Sequence, residues 1–225
     1  MNEQAIKDIL ADVVRKVLAE ECGGRPGSAG MDAGPIPVEI SARHVHLSLQ
    51  DAIALFGADL HPERPLSQPG QFLSAERVRL IGPKGVMDNV AVLGPTRTAS
   101  QVEISKTDAR ALGINPPVRQ SGETAQTPGI ILASSTGILG LSQGVIVAAR
   151  HIHMHTSDAR RFGLKDKDMV DVRLETERPM ILKDVMVRVG DNFALSLHID
   201  ADEGNSAGWK PGTEGTIIGR SRGGT

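Results

Sequence analysis

Hydrophobic positions in the first twenty residues recur at three- and four-residue steps: Ile6, Ile9, Leu10, Val13, Val14, Val17 and Leu18 form one stripe. Lys7, Asp8, Asp12, Arg15, Lys16 and Glu20 fall off it, so the pattern predicts an amphipathic helix over residues 1–21. The stretch CGGRPGSAGMDAGPIP that follows, Cys22 to Pro37, is rich in Gly, Pro, Ala and Ser, a composition that predicts a flexible linker over 22–35. Two roles stay open for the helix: folding back or pairing in an oligomer, and docking as an address in another protein's groove. The tether favours the second. Acids at Glu3, Asp8, Asp12, Glu20 and Glu21 do not suit a mitochondrial transit peptide, and the interrupted apolar run does not suit a secretory signal.

After Pro37 the pattern shortens to strand-like runs broken by turn residues: Val38–Ile40, Val78–Ile81, Val90–Leu93, Val102–Ile104, Gly144–Ala148, Val170–Arg173, Val185–Val189 and Ala194–Ile199. Short helices are expected near Asp51, Asp108, Asp158 and Glu203. Most segments between strands are too short for crossover helices, which points to small β-barrels rather than a parallel α/β sheet. The turn-rich content of 25 Gly and 13 Pro agrees.

Composition narrows the function classes. A net charge of −2 leaves no strong field for nucleic acid or an anionic membrane, and no apolar run approaches membrane-spanning length. Four Phe, one Trp and no Tyr offer few stacking platforms. Cys22, the single cysteine, closes no internal disulfide and supplies no thiolate cluster, in keeping with a reducing cytosol. Any metal site must therefore use His and carboxylates.

A repeat supplies them. SARHVHLSLQD ends at Asp51 and AARHIHMHTSD at Asp158, sharing Arg-His-x-His at one offset, 107 residues apart. TASQVEISKTD, ending at Asp108, places Glu103 where His46 and His153 stand, and its continuation DARALGI matches DARRFGL. A weaker fourth copy, FALSLHIDADE, puts His198 at the same offset from Glu203. In a strand, residues i and i+2 share a face, so His44 and His46 converge, as do His151 and His153. On a helix they would diverge by about 200°. Ser48-x-x-Asp51 and Ser105-x-x-Asp108 resemble capping boxes that turn strand into helix, so the anchoring acid reads as a helix cap rather than a catalyst.

A lone His is usually structural, but six of the seven histidines fall in these segments. The grouping expected is His44, His46 and Glu103 around one ion, with His151, His153 and His198 around a second. Without thiolates the set suits Zn2+, with Co2+, Mn2+ or Fe2+ as alternatives. Three ligands per ion leave open positions, which suits catalysis. His155 reads as a cap or a group behind the ligands, and His61 as a surface loop residue.

At RHVHLS, PLSQPGQF, LGPTR, QVEIS-TDAR-LGI, RHIHM and HIDADEGN, across residues 36 to 218, the sequence closely resembles the PduL family of phosphate acyltransferases from bacterial microcompartments. The resemblance implies a mainly β fold of two small barrels capped by short helices. The first barrel would comprise 36–42 with 149–218, the second 43–148, and 219–225 would be a tail. It implies two metal ions, usually zinc, on the same six ligands between the barrels, and reversible acyl transfer between coenzyme A and inorganic phosphate. It further implies that residues 1–21 bind shell or core proteins of a microcompartment in the bacterial cytoplasm; a homo-oligomer is also open.

On that reading, phosphate held at two dications attacks the thioester directly. Arg97, in LGPTR, is the candidate that grips phosphate through a bidentate fork, although composition alone would leave it a solvated surface residue. Metal or Arg97 would also meet the oxyanion formed on the carbonyl. Ser41 and Asn205 flank ligand positions in the family motif, as coenzyme A contacts or as backbone caps. Two rival readings belong to other classes. One is a metal-dependent thioesterase or cupin-like hydrolase, although a cupin wants Glu shortly after HxH and here stand Gln50 and Asp51. The other is a noncatalytic scaffold stapled by metal.

Overall fold

Apolar side chains along the strand-like runs, Val170, Val172 and Leu174, then Val185 and Val187, then Leu197 and Ile199, are all buried. Each such aliphatic side chain stabilises the fold by about 1.5–3 kcal/mol relative to exposure, and they pack into one core with Ile36, Val38, Ile152, Met154 and Phe162. The computed structural model describes residues 33–221. The helix expected over 1–21, nearly all of the linker and most of the tail lie outside the described residues.

Chain order begins with β1 (Ile36–Ser41), β2 (His44–His46), α1 (Leu49–Phe56), β3 (Pro62–Pro65), β4 (Phe72–Ile81) and β5 (Val86–Gly94). It continues with β6 (Gln101–Glu103), α2 (Lys106–Leu112), β7 (Val118–Arg119), β8 (Ile130–Ala133), β9 (Ile138–Leu141) and β10 (Val145–Ala148). Then come β11 (His151–Met154), α3 (Thr156–Phe162), β12 (Met169–Leu174), β13 (Met180–Val189), β14 (Ser196–Asp200), α4 (Ala201–Ala207) and β15 (Glu214–Arg220). The fold is mainly β. Six strands close into a barrel in the order β1-β14-β11-β13-β12-β15, and β15 pairs with β1 to shut it.

The other unit is a nine-stranded open sheet, ordered β7-β10-β6-β2-β5-β4-β8-β9 with β3 on β4. Its core gathers Val45, Leu47, Leu55, Val78, Leu80, Val92, Val102 and Leu132. The two units share a plan. β2 lies antiparallel to β6 and parallel to β5; β11 lies antiparallel to β14 and parallel to β13. The parallel pairs β6 with β10 and β14 with β1 also correspond. The units differ at the seam: β15 bridges β12 and β1, whereas β8 pairs β4 and β9 and reaches no further strand.

All four helices follow a strand that carries a candidate ligand by one rule. The N-caps are Ser48, Ser105, His155 and Asp200, each two residues after the ligand of its segment, and each accepts a backbone N–H. The anchoring acids, expected as caps, stand instead at the third helical position. Asp108 completes a capping box there with Ser105, and Glu203 does so with Asp200. Each helix ends at a glycine in the left-handed region, Gly57, Gly113, Gly163 or Gly208, which returns the chain towards the sheet after two turns.

Candidate metal centre and active-site cleft

Strand register brings the repeat segments face to face. His44 is the cross-strand partner of Glu103, and His151 of His198. His46 and His153 follow at i+2 on the same faces, so each unit presents three candidate ligands at one strand end. All six line a single cleft of about 400 Å3 between the units. Two links hold the units together beside it. The buried Gln68 side chain donates to the Ala194 carbonyl at 3.0 Å and accepts from the Ala194 N–H at 3.2 Å, and Ser67 donates to Glu39 at 2.6 Å.

The first set is tightly gathered. His44 Nδ1 lies 2.8 Å from the Ala42 carbonyl and His46 Nδ1 lies 3.2 Å from that of Leu93. A carbonyl only accepts, so both Nδ1 atoms carry a proton, which leaves Nε2 as the candidate ligand atom of each ring. Those two Nε2 atoms face each other at 3.1 Å, a spacing at which one bound cation could take the place of a shared proton. Glu103 Oε2 lies 3.6 Å from His44 Nε2, while its other oxygen accepts from Gln101 at 2.6 Å and Ser121 at 2.8 Å. Burial pushes the Glu103 carboxyl up, but His44, the Ser121 hydroxyl and Arg97 outweigh it and hold the pKa below the usual value. The donor set, one carboxylate and two imidazoles with all ligand atoms within 4.8 Å, fits a divalent ion.

The second set is looser. The rings of His151, His153 and His198 lie 4.7 to 5.3 Å apart and stack at interplanar angles of 15° to 37°. His151 Nδ1 meets the Ala149 carbonyl at 2.9 Å, repeating the His44 arrangement. Both ring nitrogens of His153 are buried without any hydrogen-bond partner, a costly state that a bound cation would relieve. Burial, then neighbouring positive charge, holds His153 down to about 2; burial holds His151 and His198 at about 4. The rings are thus neutral and open to an ion, as the chemistry of a ligand set requires.

Arg97 is half-buried in the same cleft, its N–H bonded to the Leu47 carbonyl at 2.8 Å and its guanidinium donating to Ser121 Oγ at 3.0 Å. Ser41 also lines the cleft. Asn205 lies on the exposed face of α4, outside the lining residues. His155 caps α3, and His61 is exposed and paired with Glu76 at 2.7 Å.

Several supporting residues escaped the sequence reading. Gln101 and Ser196 occupy the alignment column of His44 and His151, two residues before a ligand, and a reading of that column as a polar strand face finds them. Ser196 Oγ lies 2.8 Å from His198 Nε2, and Glu39 Oε2 lies 3.5 Å from it. The shared Arg of the two RHxH segments pairs in both units with the acid of the partner helix: Arg43 with Asp108 at 2.8 Å, Arg150 with Glu203 at 2.9 Å. Ser121, Arg188 and Phe193 reach the cleft from places that no repeat marks.

Known proteins resemble the chain along nearly all of its length. Phosphate propanoyltransferases from Alkaliphilus metalliredigens, Listeria monocytogenes and Salmonella typhimurium are 50%, 44% and 47% identical to the chain. The alignments cover 97%, 99% and 90% of it, and 100%, 99% and 92% of those proteins. The profile described as phosphate propanoyltransferase matches residues 37–210, which hold all but the first residue of β1, both candidate ligand sets and α4. With that match spanning both units and the cleft between them, the chain belongs to the phosphate propanoyltransferase family.

Proposed function

We propose that the protein transfers a short acyl group, propanoyl or acetyl, reversibly between coenzyme A and inorganic phosphate. The observation that carries this reading is the convergence of six candidate metal ligands and Arg97 on one cleft in a chain of this family. His44, His46 and Glu103 would hold one divalent ion and His151, His153 and His198 a second, with zinc the best match to the donors. Such ions would supply positive charge against phosphate and against the oxyanion of the addition step.

The chain's own groups do the rest. Arg97 is pinned by Ser121 and by its backbone bond to Leu47, so its fork is pre-set to grip phosphate oxygens and align one of them with the thioester carbonyl. That oxygen forms the new C–O bond, the C–S bond breaks, and the proton of hydrogen phosphate ends on the departing thiolate. Leu66, Leu73, Leu93 and Phe193 give the cleft an apolar wall, which accommodates a short acyl chain and disfavours water as the competing nucleophile. Ser41, at the cleft edge, suits a contact to coenzyme A; Asn205 would meet the cofactor only beyond the cleft. No covalent acyl-enzyme enters this scheme. Residues 1–21 would deliver the enzyme to a bacterial microcompartment through shell or core proteins.

The test is to follow free thiol from propanoyl-CoA with and without inorganic phosphate. Thiol release that requires phosphate, with matching acyl phosphate, is the result expected. Equal release without phosphate would show a thioesterase, and silence in both would leave a scaffold.

A further inference from the structure

Four described arginines are half-buried: Arg77, Arg97, Arg150 and Arg188. Arg77 pairs with Glu63 and Arg150 with Glu203, both at 2.9 Å. Arg97 and Arg188 take part in no ion pair among the described residues, and both line the cleft. A partly desolvated guanidinium with no carboxylate in direct contact is costly to hold, and the cost is recovered when an anion arrives.

The position of Arg188 is not one the fold requires to be charged. It lies on β13 in register with His153, as Leu93 lies on β5 beside His46, whose Nδ1 it receives at its carbonyl. An apolar residue thus serves at the corresponding place of the other unit. Aligned residues on parallel strands share a face, so Arg188 projects alongside His153. Its guanidinium carbon sits 5.9 Å from the centroid of Phe193, whose ring stacks on His153 at 4.4 Å. The aromatic face steadies the cation without neutralising it.

Resting on the phosphate acyltransferase reading, we propose that Arg188 is a second guanidinium for the transferred phosphate, gripping it from the barrel side while Arg97 grips it from the open-sheet side. Two forks match an anion that presents several oxygens and carries close to two negative charges. Burial lowers the Arg97 pKa, Glu103 raises it, and Arg188 lowers it further, so the two cations already share one field. Because each comes from a different unit, phosphate would bind only when both units are docked, a coupling of fold to substrate that neither ligand set provides alone.

The experiment uses full-length, metal-loaded protein, with Arg188→Gln and Arg188→Lys assayed against inorganic phosphate and propanoyl-CoA, and phosphate affinity measured separately by calorimetry. The Gln variant should raise the KM for phosphate about tenfold or more and weaken calorimetric phosphate binding in parallel. Its KM for propanoyl-CoA should stay within about threefold, and Lys should restore part of the loss. An unchanged phosphate constant overturns the proposal. So does a selective rise in the propanoyl-CoA constant, which would assign Arg188 to the phosphates of coenzyme A. Should the Gln variant fail to fold or to hold metal, the Lys variant decides on the same two constants: a raised phosphate value supports the proposal, and wild-type values overturn it. Wild-type protein without phosphate-dependent turnover would instead sink the acyltransferase reading itself.

Discussion

At the residue scale the cleft depends on single polar atoms being committed elsewhere. The Ala42 and Ala149 carbonyls fix the tautomers of His44 and His151, and Ser121 holds Glu103 and Arg97 through one hydroxyl. Arg97→Ala should raise the KM for phosphate by about tenfold or more with a smaller effect on that for acyl-CoA, because the fork meets phosphate and not the thioester tail. Steady-state kinetics on both substrates checks this, and equal loss for both would assign Arg97 to ordering the site. The histidines and Glu103 were legible in the sequence because a strand's two-residue period makes His-x-His a same-face pair. Ser121 and Phe193 were not, since each enters from a loop whose approach depends on tertiary packing.

At the element scale the recurring unit is a short strand ending in a candidate ligand, an N-cap two residues on, and a helix of about two turns. Asp108 shows how much one side chain carries: it accepts from the Ser105 N–H at 3.3 Å and pairs with Arg43, and it is 4% exposed. Asp108→Ala should destabilise by about 1–2 kcal/mol, through loss of half the capping box and of the Arg43 partner. Asp158→Ala, at the same helical position but paired only with the half-exposed Arg161 of its own helix, should cost about 0.5 kcal/mol or less. Urea midpoints of the two variants measure the contrast. Helix positions could be read from the Ser-x-x-Asp spacing and the following glycines. The strands β3, β7, β8, β9 and β15 were missed because their runs are very short, hold prolines or lack a clear two-residue alternation, and only the partner strands decide that they pair.

At the scale of the whole molecule, one plan is used twice and closed once. The repeat announced the two units, but not that β15 would shut one barrel while β8 leaves the other sheet open; closure depends on which edge a late strand reaches, and that information is spread over the whole chain. The expected helix over 1–21 and its linker precede every residue that lines the cleft. Protein beginning near Gly34 should therefore keep turnover and bound metal but lose self-association or delivery to shells; light scattering and cargo localisation check the second part. Loss of turnover on truncation would show the segment to be part of the catalytic body.

Whether two ligand sets serve one cleft is decided by the metal content of the purified protein, measured by elemental analysis. Wild-type chain should carry close to two divalent ions, and the double variant His151→Ala, His153→Ala close to one, with no phosphate-dependent turnover. Active wild-type protein without metal, or a double variant with unchanged metal content and turnover, would contradict that arrangement.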